Sequence, residues 1–442
     1  MKRAASWFDV TGPWLCLSCL CLPALSCAQP KSAEPPAPDA APLAEETSPK
    51  HPSPASQGLS GGPAELSEVA RLRALPPKER VVLKDLTREA LKDHLERTLD
   101  AHMPERALKG TEQMLFAFGV VPADFNYRRA IVGLMQSELA GLYDPLDNTM
   151  YLLSDLAPEM RRATLLHELV HALQDQHYSL DRVAHFAEDQ TDRMSALSSL
   201  AEGDATSVMF DAMLEPEHKT ALDIPISILE RQLTLASARP ETADVPPVLV
   251  RSLLAPYVDG MAFVQALRER GGFAEVDRVW RAPPLTTEQL LHIERYDAHE
   301  PAVSVALPPP PEPSWQMVLH DTWGEQSLRV LFEEYVERRV ARSAAMGWGG
   351  DRVATFELGG EHAVASVMTF DTEDDAREVE LLFRKEAHDE PSCQPFPNGA
   401  ALAASRKGRS VILTAGPYVR GTPNAKDCER SIRYNRSVSA AL

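Results

Sequence analysis

Residues 163–173 read Ala-Thr-Leu-Leu-His-Glu-Leu-Val-His-Ala-Leu, and no other stretch constrains the fold as tightly. Leu166, Leu169, Val170 and Leu173 recur at helical spacing, which predicts an amphipathic helix with a buried face. His167, Glu168 and His171 interrupt that apolar setting, and burying polar side chains is costly unless something engages them. Positions i and i+4 share one face of a helix, so the two imidazoles can grip one metal ion. Glu168 stands where a carboxylate can take a proton from metal-bound water, whose pKa zinc lowers to about 7. The plain alternative is a pair of histidines hydrogen-bonded in an apolar core.

A hydrolytic zinc site takes a third protein ligand and keeps a fourth position open. Two residues compete for that place. His177 falls where the metzincin motif, His-Glu-x-x-His-x-x-Gly-x-x-His, has its last histidine, but Gln174 occupies the position of the helix-breaking glycine. Glu202, in Ser199-Leu-Ala-Glu-Gly-Asp-Ala, borders the apolar stripe of Leu197, Ala201, Ala205 and Val208 and is the stronger candidate. Gly203 beside it is expected to let this helix approach the motif helix closely. Asp204 is expected to support a ligating imidazole from behind. Without a metal, Glu202 and Asp204 would be partly exposed helix residues.

His-Glu-x-x-His on one helix with a glutamate on the next resembles the gluzincins, a class of zinc peptidases. The resemblance implies an α+β zincin fold, mostly helical, whose small sheet has an edge strand along the substrate cleft. The Gly141–Leu153 segment is the expected source of that strand, with Tyr143 and Asp144 either in it or in its turn. His167 to His177, Ala201-Glu-Gly-Asp-Ala, Pro256-Tyr-Val-Asp-Gly, Thr287-Glu-Gln-Leu-Leu-His292 and Gly347-Trp-Gly-Gly-Asp look like a set found in exported bacterial proteins of this type. The expected chemistry is zinc-assisted hydrolysis of a peptide bond in a peptide or protein substrate. One zinc per chain is held by His167, His171 and Glu202, and Glu168 is the general base. Tyr257 and His292 are candidate oxyanion donors, or else packing and capping residues. A non-catalytic envelope lipoprotein that binds a partner, or a hydrolase of non-peptide amides, are the alternatives.

Lys2, Arg3 and the apolar Trp14–Leu25 stretch have the form of a signal peptide. Ala24-Leu-Ser-Cys27 resembles a lipobox, with Ala24 where leucine is usual, and implies lipidation at Cys27; plain secretion with cleavage near Ala28 is the alternative. Residues 28–63 are rich in Pro, Ala, Ser and Glu and read as a disordered tether. The chain is thus expected at the bacterial envelope, lipid-anchored, with Ala28 leaning toward the outer membrane. No later segment reads as membrane-spanning. A net charge of −19 with no basic run argues against nucleic-acid binding.

A zincin-like domain is expected over 64–305 and a smaller α+β module over 306–442, divided by the prolines at 308–311 and 313. Helices are expected over 66–102, 112–118, 127–140, 158–176, 192–213, 325–346 and 373–385. Strands are expected on either side of the Pro145 turn and over 353–358, 363–370 and 410–415. Cys393 and Cys428 either bridge, as export favours, or stay as buried thiols.

Overall fold

The computed structural model describes residues 62–442 except 146, 181–186, 237–244, 385–389 and 423–426. The leader, Cys27 and the tether lie outside the described residues. The fold is α+β, with a three-stranded and a six-stranded sheet.

The expected first helix is two helices and a strand: α1 (Gly62–Arg73), β1 (Val82–Leu86) and α2 (Arg88–His102). Pro76 and Pro77 stop the helix, since proline lacks the N–H and disfavours helix before it. Helices α3 (Glu105–Ala117) and α4 (Tyr127–Glu138) lead into β2 (Gly141–Asp144) and β3 (Thr149–Leu153). β3 is central, parallel to β1 and antiparallel to β2. All five of its residues are buried, which is why its sequence shows no alternation. Tyr143 and Asp144 lie in β2, an outer strand of this sheet.

The motif helix α5 (Pro158–Tyr178) packs on β2 and β3 and on α6 (Thr191–Leu214). After α7 (Ile226–Ala236), the long α8 (Pro247–Arg281) crosses α6 where two glycines meet. This corrects the expectation for Gly203: it faces Gly260 of α8, not α5. Neighbouring helix residues point about 100° apart, so with Glu202 turned to α5, Gly203 is turned elsewhere. α8 also corrects the membrane expectation, being long and apolar enough to cross a bilayer by composition. Two-thirds of its most apolar window is buried inside the protein, and its backbone leaves helical geometry at Gly271 and Gly272. Such burial is that of a core helix.

Two short helices, α9 (Thr287–Leu291) and α10 (Ile293–Asp297), precede an extended stretch and β4 (Gln316–Asp321). The expected helix over 325–346 is broken into α11 (Gly324–Phe332) and α12 (Arg338–Ala345). Between them Tyr335 packs on Phe383 and Phe396, with ring centroids 5.0 and 6.1 Å away. Then follow β5 (Trp348–Leu358), β6 (Glu361–Phe370), α13 (Glu373–Phe383), β7 (Ser392–Pro395), β8 (Ala401–Lys407), β9 (Ser410–Tyr418) and α14 (Cys428–Ala441). The antiparallel sheet runs β4-β5-β6-β9-β8-β7. A disulfide joins Cys393 of β7 to Cys428 at the start of α14.

Both faces of this sheet are covered. Ala354, Phe356, Ala365 and Ile412 pack against Tyr434 and Val438 of α14. Val353, Val364, Leu402 and Leu413 point the other way and share one buried cluster with Leu108, Met114 and Tyr257 of the helical body. The apolar core therefore runs unbroken across the proline-rich connector.

A methyl group at Gly203 would sit 2.1 Å from the Gly260 carbonyl, and one at Gly260 would sit 1.8 Å from the Ser199 oxygen. Backbone cannot yield as a side-chain tip does. Gly203→Ala and Gly260→Ala are each expected to cost about 3 kcal/mol, the upper part of the overpacking range, read as a lower denaturant midpoint. Unchanged midpoints would contradict this crossing.

Candidate metal centre

Helix α5 starts with Pro158 in its first turn and ends at Ser179, a left-handed cap (φ 60°). Across its middle, residues 163–174 are all buried, so the polar residues there face protein on every side. His167 and Glu168 are 0% exposed, and His171 and Glu202 only 1%.

Three side chains converge. His167 Nε2 lies 3.1 Å from Glu202 Oε2, His171 Nε2 lies 3.5 Å from the same oxygen, and the two Nε2 atoms are 3.0 Å apart. A tetrahedral zinc with ligands at about 2.0–2.2 Å sets neighbouring donors roughly 3.3 Å apart. The second carboxylate oxygen, Glu202 Oε1, is buried with no hydrogen-bond partner among the described residues. The donor set, its spacing and this orphaned oxygen all fit a zinc-like cation.

The lone pairs are aimed by what lies behind them. His171 Nδ1 is 2.8 Å from Gln174 Oε1, one helical turn further along α5. The other end of that amide, Nε2, donates to the Ala201 carbonyl at 3.0 Å and to Asp204 Oδ2 at 3.2 Å. Both partners only accept, so the amide has one permitted orientation and its oxygen must face His171. Nδ1 then carries the proton of the neutral imidazole, in which form Nε2 presents its lone pair to the centre. Asp204 in turn accepts from Arg73 Nε at 2.6 Å and from Trp280 Nε1 at 3.0 Å. Arg73, fully buried, also pairs with Asp277 at 2.8 Å. The sequence placed Asp204 directly behind an imidazole; the structure places it one step back, acting through Gln174.

The electrostatics agree with a cation site. Burial disfavours the His171 imidazolium, but the carboxylates of Glu202 and Glu168, with the Gln174 bond, outweigh it and push His171 up to about 9. A buried pair of carboxylates is drawing positive charge to this point.

The remaining candidates separate. Tyr257 of α8 is at the site, its ring stacked over that of His167 with centroids 6.0 Å apart. His177 is elsewhere: α5 continues unbroken past Gln174, and His177 bonds the Pro76 carbonyl at 2.8 Å. Six residues of helix turn it well away from the face of His171. His292 is held by both oxygens of Glu325 at 2.9 Å, between α9 and α11. Among the described residues, one other trio of possible ligands occurs, Glu288, Glu300 and Asp371. The Arg295 guanidinium already lies among all three, so that cluster has its cation.

The other sequence motifs supply hydrogen bonds around α11, from α8, α9 and β5. Asp259 receives two bonds from Arg329, at 3.0 and 2.6 Å, and one from Gln326. Thr287 donates its backbone N–H to Asp192 at 2.8 Å and its hydroxyl at 2.5 Å. Asp351 accepts from the indole of Trp348 and from the backbone of Trp323 and Gly324.

Residues 315–425 match the model of a family described as a domain of unknown function (DUF8575). That span covers all six strands of the larger sheet and none of the candidate metal-centre residues. No curated protein and no solved structure matches the chain.

Two substitutions probe the support behind the imidazole. Gln174→Leu removes the acceptor on Nδ1 and is expected to weaken zinc binding about 10- to 100-fold in chelator competition, with the fold kept. Arg73→Met leaves Asp204 buried without its cation and is expected to cost about 3–5 kcal/mol in denaturant unfolding. Wild-type affinity in the first, or wild-type stability in the second, would break the chain of contacts described.

Proposed function

We propose that this chain is a zinc-dependent peptide hydrolase of gluzincin type, in which His167, His171 and Glu202 hold the metal. The observation that carries the reading is the convergence of these three donors at 3.0–3.5 Å with Glu168 buried beside them. Zinc bound there supplies Lewis acidity, lowering the pKa of water to about 7 and polarising a carbonyl.

The chain's own groups do the rest. Glu168 takes the proton of the attacking water and returns it to the departing amine, so one carboxylate serves both halves of the reaction. Gln174 fixes the tautomer of His171. The Tyr257 ring packs on His167 and limits its rotation, and the Tyr257 hydroxyl is assigned to the developing oxyanion. Burial excludes competing water, which strengthens each of these electrostatic contacts. Glu168 is what a binding-only protein would not need. In the same reading, the leader ending at Cys27 anchors the activity at the bacterial envelope.

Glu168→Gln tests the assignment, since it keeps shape and metal ligands but removes the base. Hydrolysis of a peptide mixture is expected to fall by about 10²–10⁴-fold while zinc content stays unchanged. Turnover retained in this variant would sink the proposed role of Glu168.

A further inference from the structure

A cavity of about 290 Å³ lies between the helical body and the sheet, and it adjoins the metal centre in two ways. Tyr257, stacked on His167, is part of its wall. So are Thr191, Ser195 and Ser198 of α6. With Glu202 these residues fall at i, i+4, i+7 and i+11, a single face of the helix. The face that presents Glu202 to the imidazoles thus continues, turn by turn, along the cavity.

The rest of the wall is mostly apolar, with Thr111, Tyr127, Ser252, Gln326 and Ser327 as its uncharged polar members, and comes from both halves of the chain. The helical body contributes Met103, Met114, Ile131 and Leu253; the sheet side contributes Leu319, Trp323, Val330 and Leu331. Asp321 is the only acidic or basic side chain among the lining residues. Its oxygens are already engaged, by the backbone and hydroxyl of Thr191 and by the Thr322 N–H, and burial pushes its carboxyl up to about 7. The volume is near the lower limit for small-ligand pockets, room for a large side chain but not for a folded domain. Methionines in the wall let it adapt to differing apolar shapes.

We infer that this cavity is the side-chain pocket of the hydrolase, that the sheet region supplies half of it, and that preferred substrates are polypeptides with a bulky, uncharged, apolar residue beside the cleaved bond. The inference rests on the peptide-hydrolase reading for its occupant. It gives the C-terminal region a task, substrate selection, that is distinct from holding the metal.

The first test is digestion of a randomised peptide mixture by the intact zinc-loaded protein, with cut sites read by mass spectrometry. Leu, Met and Phe are expected at one position beside the cut about tenfold or more above Asp, Glu, Lys and Arg, as burial of a large apolar side chain implies. Ser327→Trp on α11 and Ser252→Trp on α8 narrow the cavity from opposite sides without touching a metal ligand. Each is expected to shift the preference toward Gly, Ala and Ser, with zinc content and thermal midpoint unchanged as the control for folding. Cleavage with no apolar preference, or a preference untouched in both folded variants, would overturn the pocket and leave the peptidase standing.

A second readout needs no turnover: fluorescence anisotropy of Glu168→Gln protein with two labelled decapeptides that differ only by Leu or Asp at one site. Tighter Leu-peptide binding that Ser327→Trp removes, together with an unaltered protein that cleaves neither peptide, would support the pocket and reject the hydrolase. Equal binding of both peptides, with neither cleaved by the unaltered protein, would overturn both.

Discussion

Glu168, Glu202 and Asp204 are carboxylates at most 1% exposed, packed at one helix crossing, and the centre of this protein is built around satisfying them. A buried carboxylate is tolerated when it is paired and hydrogen-bonded. Asp204 meets that condition within the chain, through Arg73, Trp280 and Gln174. Glu202 meets it only in part, since one oxygen faces two imidazoles and the other faces no donor among the described residues. In the proposed reading a divalent cation would complete the set. The same demand fixes α1, α5, α6 and α8 relative to one another, because each supplies a member of the network.

The convergence of His167 and His171 was legible in the sequence because its signal is local. Two histidines four apart on an apolar helix can point only to the same place. Glu202 was legible for a similar reason, as an acid bordering an apolar stripe on the next strong helix. Gln174 was read only for what it is not, a glycine, although its spacing of three from His171 places it one turn away on the same helix. What hid its role was distance: its other partners, Ala201 and Asp204, lie about thirty residues on. Arg73 was hidden by a still larger separation, 131 residues from Asp204.

The same contrast holds for the fold. Long amphipathic helices such as α5 and α6 came out within a few residues of their ends. β1 did not, because a five-residue strand after two prolines is defined by its pairing to β3 rather than by its own pattern. β8 was missed because Ala-Leu-Ala-Ala-Ser is a poor strand sequence taken alone; burial between neighbours on both sides decides it. β4, β7 and α14 likewise gain their definition from the sheet they complete. The side chains of Asp259, Thr287 and Asp351 had no readable chemistry because they serve hydrogen bonds within the fold. Asp259 ties α8 to α11, Thr287 ties α6 and α9 to α11, and Asp351 ties β5 to the start of α11.

The central claim, that His167, His171 and Glu202 form a metal site, is tested most directly by the zinc content of the purified protein alongside Glu202→Ala and His177→Ala. The account predicts one zinc per chain, lost in the Glu202 variant and retained in the His177 variant. Full zinc occupancy after loss of Glu202, or no zinc in the unaltered protein even after reconstitution, would contradict it.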